Sequence, residues 1–136
     1  MEIIDKGKVK NGIKLPDTID DQKPEFLIKD AIFVRHEGSL VKVKFNHMLW
    51  MKGEGNYTNI VLKTGTLIVR NILKDFEKSL PSDQFVRIHK SYIVRIDEIN
   101  SINMKEVIVG KDPVPVGRTY YQMLLNGIQK LGSGSE

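Results

Sequence analysis

The sequence predicts a mostly β, antiparallel domain with two short helices, and three observations predict it. From Phe26 onward, short apolar runs alternate with turn signals, the texture of antiparallel strands. The runs are rich in Val, Ile, Phe and Tyr, which suit a pleated, half-buried surface. Only two stretches, 71–80 and 119–131, carry the wider apolar spacing of a helix.

In order along the chain, Ile32 to Arg35 is a strand that ends at Glu37-Gly38-Ser39. Leu40 to Phe45 alternates, with Val41, Val43 and Phe45 on one face and Lys42 and Lys44 on the other. After a break at Asn46-His47, Met48 to Met51 resumes the strand, and Lys52 to Asn56 is expected as a loop with two glycines free to take left-handed backbone. Tyr57 to Leu62 and Thr66 to Val69 form a hairpin across Lys63-Thr64-Gly65. Asn71 is expected to cap a helix with Ile72, Leu73, Phe76 and Leu80 as its apolar stripe and Pro81 after its end.

The next stretch, Phe85-Val86-Arg87-Ile88-His89-Lys90-Ser91-Tyr92-Ile93-Val94, sets two apolar runs around a polar centre. It reads as a strand that breaks for one turn, offers Lys90 and His89 outward, and resumes. Ile96 to Ile99 and Ser101 to Met104 continue extended, and Val107 to Val109 ends at Gly110. Pro113 to Val116 is an edge strand, because each proline removes a ladder donor. Thr119 to Leu131 closes the domain as a helix capped by Thr119, with Met123, Leu124, Ile128 and Leu131 inward.

Of the 136 residues, 1–25 read as a leader or linker, 26–131 as the folded domain and 132–136 as a flexible tail. The net charge of +4 is uneven: residues 1–30 hold six Lys against seven Asp or Glu, so the positive excess lies in the folded part. Such a balance speaks of anionic partners rather than of fold. The absence of cysteine excludes disulfides, thiolate metal sites and cysteine nucleophiles. No run approaches the roughly 18 apolar residues of a membrane span, and a cytoplasmic protein without membrane contact is expected.

Enzymatic constellations fail in turn. The three histidines, His36, His47 and His89, show no metal-binding spacing, so neither a metal nor a cofactor is expected. Gly53-Glu54-Gly55 leads toward a strand and lacks the Lys-Ser/Thr of a phosphate loop. Asp97 and Glu98, as strand neighbours, would face opposite ways and could not share acid–base work.

What remains are polar and basic residues at strand ends: Asn56, Tyr57, His89, Lys90 and Arg118 beside Gly117. Arg118 could grip guanine O6 and N7 or clamp a phosphate, Lys90 could contact a phosphate or a guanine, and Asn56 could meet an adenine edge. Each has a plainer reading as well. Lys90 is equally an ordinary solvated lysine, His89 a histidine that satisfies the turn, and Arg118 a partner for a carboxylate. Asn56 fits a left-handed turn position, and Tyr57 and Tyr92 fit the core.

Gly55-Asn56-Tyr57, the stretch Phe85 to Val94, and Val114-Pro115-Val116-Gly117-Arg118-Thr119-Tyr120, in this order and spacing, resemble the LytTR DNA-binding domain of LytR/AlgR-type bacterial response regulators. The resemblance covers roughly Phe26 to Leu131. It implies an elongated arrangement of small antiparallel sheets with two or three short helices, which binds double-stranded DNA at repeated sites through loops entering the major groove. It also implies an upstream receiver domain absent from this chain, the output role in a two-component system, and a homodimer on DNA. The family's contacts fall on Asn56 and Tyr57, on the Lys90 turn and on Arg118, three points along one edge. Lys90 stands where arginine or asparagine is frequent, Arg95 where asparagine is frequent and could add a cation, and Gly117 where serine is common. The alternative reading is a protein-interaction or ligand-sensing β module without DNA binding, consistent with the modest net charge.

Overall fold

In the computed structural model the described residues are Glu25, Phe26 and 28–132. The expected leader apart from Glu25, and the expected tail apart from Gly132, lie outside them. Among the described residues ten strands build three antiparallel sheets. Strands β1 (Ala31–His36) and β2 (Ser39–Lys44) form a hairpin. Strands β3 (Met48–Glu54), β4 (Tyr57–Leu62), β5 (Gly65–Val69), β6 (Phe85–His89) and β7 (Tyr92–Arg95) form a five-stranded sheet in the order β5-β4-β3-β7-β6. Strands β8 (Ile99–Ile102), β9 (Glu106–Val109) and β10 (Asp112–Pro115) form the third. Helix α1 (Leu73–Ser79) lies between β5 and β6, and α2 (Arg118–Gly127) follows β10.

The central sheet is covered on both faces. Met51, Ile60 and Ile93 pack with Leu73 and Phe76 of α1 and with Val34 and Val43 of the β1–β2 hairpin. Ile88 and Val94 pack on the other face with Val107, Val109, Val114 and Leu124. Ile93 and Val94 are adjacent in sequence and only 1% and 0% exposed, yet they belong to opposite cores. Each such burial contributes about 1.5–3 kcal/mol. Double coverage explains why β6 and β7 read as nearly continuous apolar runs. Trp50 Nε1 donates to Asp112 Oδ2 at 2.9 Å and ties the central sheet to β10.

Several expectations change for local reasons. The stretch Phe85 to Val94 is two antiparallel strands with His89 paired to Tyr92, so the chain reverses at Lys90-Ser91 instead of resuming its course. Phe45, expected at the end of β2, opens a 3-10 turn, Phe45–His47. Lys52 to Asn56 is mostly strand, and only Gly55, at φ +60°, takes left-handed backbone. Gly53 is needed for another reason: a Cβ there would sit 2.9 Å from Leu73 Cβ, so the missing side chain lets α1 approach β3.

Asn71 does not cap α1. Ile72 occupies the cap position, while Asn71 Nδ2 donates to Asp75 Oδ2 at 2.6 Å and the Asn71 carbonyl accepts from Thr58 Oγ1 at 2.7 Å. Likewise Gly117, not Thr119, precedes the first residue of α2. The helix ends at Gly127, Met123 and Leu131 are exposed, and Leu124 is its buried residue, with Tyr120 and Tyr121 packed against the same core. Asp97 and Glu98 lie in a 3-10 turn, Ile96–Glu98, rather than in a strand. The extended run expected over Ser101 to Met104 stops at Ile102, where Asn103 begins a turn.

Candidate nucleic-acid interface

Backbone pairing brings the sequence-predicted residues to one end of the central sheet. Lys52 on β3 pairs with Tyr92 on β7, and the Gly53 N–H donates to the Ser91 carbonyl at 2.9 Å. The Lys90-Ser91 turn therefore lies beside β3, two residues short of the Gly55-Asn56 turn. On the other side the Gly117 N–H donates to the Ile88 carbonyl at 2.8 Å, which seats the start of α2, and Arg118 with it, against the end of β6. Asn56, Tyr57, Lys90 and Arg118 are exposed, and His89 is half-buried.

Tyr57 is not the core aromatic its type suggests. It is 48% exposed, because Thr58 and Ile60 define the buried face of β4 and alternation turns Tyr57 away. Tyr92 is half-buried between Trp50 and His89, with ring centroids at 5.9 and 5.3 Å. Nor does Asn56 have positive φ; Gly55 absorbs that requirement and leaves the Asn56 amide at the tip.

The Lys90 turn is held by a residue that sequence reasoning passed over. Arg87 Nε donates to the His89 carbonyl at 2.9 Å, Nη2 donates to the Lys90 carbonyl, and Nη1 meets Glu77 Oε1 of α1 at 2.6 Å. One guanidinium thus binds both carbonyls that flank the reversal and anchors them to α1, a geometry that a planar fork of donors allows and an ammonium does not. The signal was present in the sequence: an arginine set between Val86 and Ile88 in a doubly buried strand must find polar partners.

His89 completes the turn. Its Nδ1 accepts the Ser91 N–H at 3.0 Å, so in the neutral ring the proton resides on Nε2. Burial, then the neighbouring Lys90 and Arg87 charges, push its pKa below the ordinary 6.5. The expectation that His89 satisfies the turn agrees with this hydrogen bond.

Charge at this end is partly answered within the protein. Lys52 Nζ lies 2.9 Å from Glu54 Oε2, and hydrogen bonding to Glu54 raises its pKa above the usual lysine value. Arg95 does not join the edge. It pairs with Phe85 at the opposite end of β7, its side chain is 12% exposed, and it meets Glu98 at 3.2 Å and Asp97 at 3.7 Å. Its β-strand position fixes it far from Lys90, which removes it as an additional outward cation. Among the described residues no three His, Asp or Glu side chains are grouped to hold a metal, and no helix is long and apolar enough to cross a membrane.

The fold and this edge define a class: an antiparallel β domain that presents basic and amide side chains from separate turns and from a strand-to-helix junction. The family described as the LytTr DNA-binding domain matches residues 38–129, and the chain belongs to that family. It is 29% identical over 92 residues to the sensory transduction protein LytT of Bacillus subtilis, covering 63% of this chain and 38% of that protein. It is 28% identical over 78 residues to the CO-responsive transcriptional regulator RcoM of Rhodospirillum rubrum, covering 52% of this chain and 33% of that protein. The chain thus spans about a third of the length of the curated relatives it matches. Its fold is that of the LytTr DNA-binding domain of a Bacillus cereus protein described as a methyl-accepting/DNA response regulator, with a TM-score of 0.62 and 24% identity over 74% of this chain and 99% of that one. The matched region is therefore a DNA-binding domain of the kind found in response regulators and transcriptional regulators.

Proposed function

We propose that residues 26–131 bind double-stranded DNA sequence-specifically through turns that enter the major groove, as the output domain of a two-component regulator whose receiver domain lies on another part of the protein. The observation that carries this reading is the convergence of three turns, distant in sequence, at one end of a sheet buried on both faces. A rigid scaffold holds the contact groups before DNA arrives, so little entropy is lost on binding. Arg118 serves as the base reader, Asn56 and Tyr57 as contacts from the β3–β4 turn, and Lys90 as a phosphate contact, with His89 shaping the turn. Repeated sites would seat two copies side by side.

The family assignment favours DNA over a protein-interaction or ligand-sensing module. The deciding experiment is in vitro site selection from random duplexes, followed by titration of the selected site at 50 and 200 mM salt. Arg118→Ala should cost about 1–3 kcal/mol and relax one base position, while Lys90→Ala should lower affinity across sequences and reduce the salt slope by about one. If no sequence is enriched, or both variants bind as the parent does, the assignment of this edge fails.

A further inference from the structure

The edge continues beyond Arg118. Strands β9 and β10 pair with Glu106 opposite Pro115, so the β8–β9 turn lies at the same end of the third sheet as the β10–α2 junction. The Val116 N–H donates to the Lys105 carbonyl at 3.2 Å, and the next residue, Gly117, donates to the Ile88 carbonyl at 2.8 Å. Two backbone hydrogen bonds therefore link the β8–β9 turn through the Arg118 junction to the strand that carries Lys90. The spatial order is Asn56, Lys90, Arg118, then Lys105.

The turn is locked. Asn103 Oδ1 accepts the N–H groups of Lys105 at 2.8 Å and Glu106 at 3.0 Å, and the Asn103 N–H donates to the Glu106 carbonyl at 3.0 Å. An asparagine that binds its own backbone two and three residues on rigidifies a tight turn. At its tip Met104 is 73% exposed, an apolar side chain that nothing among the described residues covers, and Lys105 is exposed beside it. Among the described residues no carboxylate lies within 4.0 Å of the Lys105 ammonium. A rigid turn that offers one cation and one bare thioether, in line with three basic or amide turns, has the chemistry of a further duplex contact.

We infer that the Asn103-Met104-Lys105 turn is a fourth DNA-contacting element, with Lys105 on a backbone phosphate and Met104 against an apolar base or sugar edge flanking the Arg118 contact. This rests on the DNA-binding reading above. The turn lengthens the contacted track on the Arg118 side, so the protein protects more duplex than three turns would. Asn103 acts as a positioning residue that holds the other two outward.

The test uses the whole chain on the selected duplex, with hydroxyl-radical footprinting and titration at 50 and 200 mM salt for Lys105→Ala, Met104→Ser and Arg118→Ala. Loss of one phosphate contact lowers the slope of log K against log salt by about 0.9, so the affinity gap between parent and Lys105→Ala should narrow about 3.5-fold between the two salts. Lys105→Ala should also lose protection at the outer flank on the Arg118 side, and Met104→Ser should weaken binding at both salts alike. If Lys105→Ala and Met104→Ser match the parent in footprint and slope while Arg118→Ala binds more weakly, the fourth contact is wrong and the three-turn reading stands. If Arg118→Ala matches the parent too, the edge itself is misassigned and both fall. All three side chains are exposed, so unfolding is not expected, and thermal melts of the variants check it.

Discussion

Replacing Arg87 separates the clamp on the Lys90 turn from the cations it positions. In Arg87→Met two charge-assisted bonds to the His89 and Lys90 carbonyls and one to Glu77 are lost. Charged hydrogen bonds contribute about 1.5–3 kcal/mol each, but Lys90 is exposed and its carbonyl can turn to water, so about 1 kcal/mol per carbonyl is the apt figure. Glu77 is 48% exposed, which limits the ion pair to about 0–1 kcal/mol. Arg87→Met should therefore destabilise by about 2–3 kcal/mol, lowering the melting temperature by roughly 10–20 °C, against about 0–1 kcal/mol for Glu77→Gln. Arg87→Lys should fall near Arg87→Met, since an ammonium cannot span the three acceptors. Calorimetry measures these shifts, and DNA titration adds the discriminating readout. With its charge answered internally, Arg87 should change affinity while leaving the salt slope unaltered. Melting of Arg87→Met no earlier than Glu77→Gln would refute the clamp, and a slope reduced by about 0.9 would make Arg87 a phosphate contact instead.

Two further predictions concern the same end of the sheet. His89 has a folded pKa below its unfolded value, so the unfolded chain binds the extra proton, and the stability that neutral His89 provides is present above about 6.5 and lost as pH falls below it. Urea midpoints at pH 7.5 and 5.5 should fall on acidification in the parent and fall less in His89→Gln, and an NMR titration placing the His89 pKa above 6.5 would reverse the argument. Gly53→Ala should cost about 1–3 kcal/mol by overpacking, since the new methyl meets Leu73 Cβ at 2.9 Å and neither β3 nor α1 gives way easily; an unchanged denaturation midpoint would show that α1 can shift.

The strands were legible in the sequence because their apolar content is local: β1, β2, β4, β5 and β9 sit within a residue or two of their expected places. Chain reversal was not legible in the same way. Phe85 to Val94 has the composition of one buried strand, and only the pairing of His89 with Tyr92 shows that its two halves run antiparallel. Helix starts were misread for a related reason. Asn71 and Thr119 have the chemistry of caps, but Asn71 is claimed by Asp75, and Gly117 leads into α2 where a Cβ would lie 3.0 Å from the Tyr120 ring.

The outward residues were legible by type and the inward ones were not, and this difference follows from what positions them. Lys90 and Arg118 could be singled out because a cation at a strand end has few structural duties. Arg87 and Arg95 look the same in sequence, yet each is committed to carboxylates, and Arg87 to carbonyls as well. Distinguishing them needs the register: Arg87 sits within the hairpin end that bears Lys90, whereas Arg95, opposite Phe85, closes the other end. The same logic bears on binding. A turn whose supporting arginine is already satisfied is held by the protein's own contacts before any DNA arrives. If Lys90 contacts a phosphate as proposed, its exposed charge is then given wholly to the duplex, instead of being shared with the fold.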